Sequence, residues 1–161
     1  MTCLFELSIA LLITLLNGFF VMAEYSLVRI RKSRLDELMR QGKSRANTVL
    51  KMSEKLDTYL SATQLGITAS SLLLGWFGGP LLAEMFRGMF GVSAGTWYDH
   101  SLVFACAFLI IVFLHVVFGE LVPRTIALGK VEQVAMAVAY PLVFFHYLLY
   151  PLVVLFNRIS H

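Results

Sequence analysis

The sequence predicts an all-α integral membrane domain: three transmembrane helices, with amphipathic juxtamembrane helices forming a belt on the cytoplasmic side. Three observations carry this. The chain is 58% hydrophobic with mean hydropathy +0.77, whereas roughly half the residues of a soluble domain are apolar. Several apolar runs reach the ~20 residues that a helix needs to cross the hydrocarbon core. Charge is also segregated: nine of the thirteen Lys and Arg residues fall between Arg29 and Lys55, and such a cluster beside apolar runs marks the cytoplasmic face. Because the cluster sits between two membrane segments, a nucleic-acid partner is excluded.

The first run covers about residues 4–28 and ends at the basic cluster, which puts the N-terminus outside. No basic residue precedes it and it is too long for a cleaved signal peptide. Asn17, Gly18 and Glu24 interrupt it, and such residues face protein rather than lipid. Residues 33–56 then turn amphipathic. Leu35, Leu38, Met39, Ala46, Val49 and Leu50 recur at helical spacing with charges between them, and Gly42 divides the stretch into two helices. A basic amphipathic stretch of this kind lies on the inner membrane surface or packs on a soluble partner.

The second run covers about residues 60–82, and its first half is unusually polar. Gln64, Thr68 and Ser71 share one helical stripe. They line the bundle interior, or they are plain packing residues bonded to their own helix. Gly75, Gly78, Gly79 and Pro80 mark a loosening of this helix. Residues 86–100, with Trp97 and Tyr98, read as an external loop. The third run, about residues 102–122, returns to the cytoplasm. The last stretch, about residues 134–157, carries Tyr140, His146, Tyr147 and Tyr150, with Pro141 and Pro151 dividing it. Broken helices lying in the inner leaflet are expected there, a fourth crossing being the alternative. Cys3 and Cys106 fall in apolar stretches and read as small core residues, since they form no metal or disulfide motif.

The most informative residue is Glu120, in Phe118-Gly119-Glu120-Leu121-Val122-Pro123-Arg124. An acid at membrane depth is costly and marks a functional site by default. Pro123 has no N–H, so in an α-helix the Gly119 carbonyl loses its partner. A carboxylate beside a freed carbonyl offers two hard oxygens suited to a hard cation such as Mg²⁺. The alternative is a Pro-kinked helix end whose acid pairs with Arg124 or reaches the interface. Glu24 is a second candidate acid, for another cation or for gating, or else an interfacial partner of Arg29. His115, one turn before Gly119, is a proton or cation group or a packing histidine.

Three segments resemble the CNNM/CorC family transmembrane domain, in the same order along the chain. They are Leu16-Asn17-Gly18-Phe19-Phe20-Val21-Met22-Ala23-Glu24 with Val28-Arg29-Ile30-Arg31-Lys32-Ser33-Arg34-Leu35, then Leu60-Ser61-Ala62-Thr63-Gln64-Leu65-Gly66-Ile67-Thr68, then the Glu120 segment. The resemblance covers nearly the whole chain. It implies a homodimeric, three-span domain in the plasma (inner) membrane, with its C-terminus cytoplasmic and followed by a pair of CBS domains in the full-length protein. It implies Mg²⁺ efflux, driven by exchange with Na⁺. The family's site uses the glutamate before the proline, here Glu120, with nearby carbonyls such as that of Gly119. It also uses a first-span serine, where this chain has Ala23, and second-span asparagines, where it has Gly66 to Ser71. Ser26, Thr68, Ser71 and Asn17 are the candidate replacement oxygens, and Gln64 stands with Glu24 as a candidate for gating or a second cation. These departures keep a second substrate class open, another cation such as a small polyamine. A non-transporting scaffold or cation-sensing regulator is the rival reading, with the basic helices as its working surface. An enzyme is not expected, because no nucleophile–base pair, metal-ligand cluster or phosphate loop appears.

Overall fold

The computed structural model describes residues 2–90 and 97–160. It is helical throughout that range: α1 (Thr2–Arg29), α2 (Lys32–Arg40), α3 (Ser44–Glu54), α4 (Leu56–Phe90), α5 (Trp97–Leu114), a π-helical segment (His115–Leu121), α6 (Val122–Gly129) and α7 (Val131–Ser160). Among these, Leu7–Arg29, Phe108–Gly129 and Val131–Leu152 are long and apolar enough to cross a membrane. The first and second of these overlap the first and third predicted runs. The predicted run 60–82 lies inside the 35-residue α4.

Helix α1 is the hub. It packs along α4, α7, α6 and the π segment, which explains why small residues occur where they do. A Cβ on Gly66 of α4 would come within 2.6 Å of the Phe20 ring on α1, and one on Gly18 within 2.9 Å of Pro123 Cγ on α6. Without a side chain at these two places the helix backbones approach closely, the usual device where lipid supplies no hydrophobic drive between helices. Phe20 is 2% exposed and locks edge-on against Phe145 of α7 at 5.1 Å between centroids.

The amphipathic stretch forms two helices, as predicted. They part at Gly42, whose φ of +79° lies in the left-handed region that glycine adopts without a Cβ penalty. Leu35, Leu38, Ala46 and Val49 are fully buried. They join one core with Leu27 of α1 and with Ala135, Val138, Ala139 and Leu142 of α7. The charged faces of α2 and α3 therefore point outward while their apolar stripes cover the first half of α7. Arg34 ties this layer together, bonding Glu37 on its own helix and Glu132 on α7. The two acids hold the Arg34 guanidinium's pKa above its already high ordinary value.

Three expectations are corrected. Helix α7 is continuous through Pro141 and Pro151, because packing of its Phe145 and His146 faces on α1 and Tyr59 holds the axis where two backbone bonds are lost. Helix α4 runs unbroken past Gly75, Gly78 and Pro80 to Phe90. Residues 86–90 of the expected loop thus extend α4 and residues 97–100 open α5, while 91–96 lie outside the described residues. Cys106 is exposed on α5 rather than in the core; among the described residues α5 packs on α4 and on the π segment that continues it, and Cys106 lies off that contact. The side chain of Cys3 lies outside the described residues.

Candidate functional site

The chemistry collects where α1 crosses the π segment. Pro123 denies the Gly119 carbonyl its α-helical donor, and the chain rewinds there: His115–Leu121 adopt π geometry, with the Val122 N–H reaching back to the Val117 carbonyl. Such π insertions are rare and concentrate at functional sites. The Gly119 carbonyl accepts a hydrogen bond from Asn17 Nδ2 of α1, 2.9 Å away and buried. An asparagine in an apolar helix and a glycine four residues before a proline thus explain each other. Gly119 is needed for the fit, because a Cβ there would meet His115 Cδ2 at 3.0 Å and Asn17 Nδ2 at 3.2 Å.

Asn17 is only 1% exposed, and its Oδ1 has no partner. A buried amide oxygen left unbonded costs about 1–3 kcal/mol, so one half of this side chain holds the π segment while the other half is an open acceptor. His115 Nε2, on the other flank of Gly119, is also buried and unpartnered. Beyond His115 an apolar cavity of about 390 Å³ separates α1, α4 and α5.

Glu120 follows Gly119 and is exposed. Among the described residues it makes no ion pair. Arg124, its sequence-predicted partner, instead places its guanidinium 4.7 Å from the centre of the Tyr25 ring on α1. Glu24 lies seven residues after Asn17, so both share one face of α1, and it is near enough to Glu120 for the two carboxylates to repel. The crossing therefore offers oxygens at two levels: the Asn17 amide oxygen and the Gly119 carbonyl beside their hydrogen bond, and, ~10 Å further along α1, the Glu24 carboxylate, which feels the charge of Glu120. Oxygen-only donors of this kind suit hard cations.

The remaining candidates are placed differently. Ser26 is buried half a turn around α1 from Asn17 and bonds the Ala23 carbonyl at 3.1 Å. Ser71 bonds the Ile67 carbonyl of its own helix at 2.8 Å. Gln64 and Thr68 are exposed on the same flank of α4, on the far side from Gly66, which is the edge that meets α1. Sequence reasoning had the Gly119–Pro123 spacing but not the π winding or its Asn17 brace. The signal was available as an amide in an apolar run with no local partner.

A chain of this build is an integral membrane protein: among the described residues it has three helices long and apolar enough to cross a bilayer, and a π segment braced by an amide of a central helix. It matches the Cyclin M transmembrane N-terminal domain family (CNNM) over residues 7–161, and it belongs to that family. Among curated proteins it is similar to UPF0053 protein YugS of Bacillus subtilis, 40% identical over 143 residues, covering 88% of this chain and 33% of the relative. It is also similar to UPF0053 protein YhdP of the same organism, 41% identical over 151 residues, covering 93% and 34%. The uncharacterized protein Rv1841c of Mycobacterium tuberculosis is 37% identical over 153 residues, covering 95% and 44%. The chain thus spans about a third of the length of the Bacillus relatives it matches.

Proposed function

We propose that this domain is the membrane part of a secondary cation transporter, with Mg²⁺ efflux in exchange for Na⁺ as the leading reading. The observation that carries it is the pair of acids, Glu24 and Glu120, close enough to feel each other's charge and with no cation paired to Glu120 among the described residues, on the same helix crossing as the open Asn17 oxygen. An acid left without a counter-charge in a membrane protein is stable only if water, a proton or a passing cation compensates it. Family membership supports the same reading. Glu120 supplies the charge that draws a cation in. Asn17 Oδ1 and the Gly119 carbonyl supply neutral oxygens, and Glu24 takes a second cation or gates access. Mg²⁺ keeps much of its water and demands near-octahedral geometry, so a partly hydrated ion suits a crossing with this few protein oxygens. Thr68, Ser71 and Ser26 join only if the helices rearrange.

In this proposal the N-terminus lies outside, while α2, α3 and α7 form the cytoplasmic belt of a homodimer in the plasma membrane. A pair of CBS domains follows in the full-length protein. Another cation remains the second reading of substrate, since the serine and asparagine positions of the resemblance are not filled. The test is saturable Mg²⁺ uptake into vesicles containing the protein, compared with Glu120→Gln and with a diamine competitor. Flux lost in Glu120→Gln supports the reading. Diamine movement with no Mg²⁺ flux changes the substrate, and silence toward both cations in folded protein points to the scaffold.

A further inference from the structure

The basic cluster is not a uniformly charged surface. Arg29 from the last turn of α1, Arg31 from the linker and Arg34 from the first turn of α2 converge on one cleft of about 430 Å³, closed on the other side by Val131 and Glu132 of α7. The charges in it are unequally committed. Arg34 is held by both acids lining the cleft, Glu37 and Glu132, which keeps α2 fixed to α7; three arginines against these two acids leave the cleft a net charge of +1. Arg29 and Arg31 are exposed and make no ion pair among the described residues. The cleft therefore presents two free guanidinium groups over a floor that includes Ile30 and Val131.

Its position matters as much as its charge. Arg29 is the last residue of the apolar stretch Leu7–Arg29, so the cleft opens where a bilayer's phosphate layer meets the end of that helix. Guanidinium groups bind phosphate oxygens in a forked, two-bond geometry. We propose that this cleft is a binding site for a phosphate-bearing anion, and that the headgroup of an anionic phospholipid supplies it. The apolar floor takes the glycerol carbons that a free phosphate lacks. A lipid seated there joins the end of α1 to the start of α7 and so couples the membrane surface to the belt, independently of any cation flux.

The test titrates detergent-purified protein with short-chain phosphatidylglycerol, phosphatidylcholine or inorganic phosphate and follows the thermal midpoint. Two variant pairs remove equal charge: Arg29→Gln with Arg31→Gln in the cleft, and Arg40→Gln with Lys51→Gln outside it. Neither cleft arginine has an ion pair to lose among the described residues, so the lipid-free midpoint of that variant stays near wild type. The expected result is a saturable rise with phosphatidylglycerol that phosphatidylcholine does not match. The cleft pair should weaken it more than a hundredfold, from about 1.5 kcal/mol for each charge-assisted hydrogen bond to phosphate that is lost, and the outer pair, which touches no bound phosphate, far less. An equal rise with inorganic phosphate, lost in the cleft pair, supports the anion site and assigns a soluble source. Equal loss in both variant pairs, or no saturable response to either anion, overturns the proposal.

Discussion

Breaking the Asn17–Gly119 contact tests the central structural claim, that a first-helix amide replaces the backbone donor missing at Pro123. Asn17→Ala removes the 2.9 Å bond and leaves a buried carbonyl short of a donor, a cost of about 1–3 kcal/mol. It also removes the unpartnered Oδ1, and deleting an unsatisfied atom returns part of that. The expected net destabilisation is about 1 kcal/mol, within the range measured for hydrogen bonds between membrane helices. Pro123→Ala supplies a new N–H at the position that serves Gly119 in an α-helix, while losing the contact with Gly18. In the double variant the carbonyl has an alternative donor, so Asn17→Ala should cost less there than in wild type. The cycle should give a coupling of roughly 0.5–1 kcal/mol. Equilibrium unfolding of the four proteins in bicelles measures it. Additive costs would refute the reasoning, because the amide and the proline would then act on different groups.

Gly66→Ala should destabilise by about 1–3 kcal/mol in the same unfolding assay, since its Cβ would meet the ring of the buried Phe20 at 2.6 Å. Pairing it with Phe20→Leu should recover part of the loss. Gly119→Ala is expected to fold but to lengthen the Asn17 bond, since the new Cβ would sit 3.2 Å from Nδ2. A changed amide signal for labelled Asn17, with a smaller loss of stability than Gly66→Ala, checks this. If α7 belongs to the cytoplasmic belt, cysteines placed at the exposed positions 147 and 150 should react with a membrane-impermeant thiol reagent from one side only, the side that also labels position 40. Protection of both positions, or reaction from the opposite side, would make α7 a crossing helix.

Much of this protein was legible in its residues, and the limits of that legibility are physical. Apolar runs and the basic cluster indicate membrane helices because the hydrocarbon core excludes unpaired polar groups, a one-dimensional constraint that leaves its trace in one dimension. The buried stripe Leu35, Leu38, Ala46 and Val49 followed from helical period, and the break at Gly42 from glycine's tolerance of positive φ. Proline misled in α7 and α4, because a lost helix bond ends a helix only when neighbours do not hold the axis, and neighbours are not written locally. The candidate site divides the same way. Glu120 and the orphaned Gly119 carbonyl were readable from seven consecutive residues. That Asn17 binds this carbonyl across 102 positions, that Arg124 prefers Tyr25 to Glu120, and that Glu24 comes near Glu120 were decided only by how α1 crosses the π segment. Local chemistry determined which groups would need partners. Tertiary packing determined the partners, because contact between distant residues depends on helix approach, and that approach is set by the summed packing of every residue along both helices.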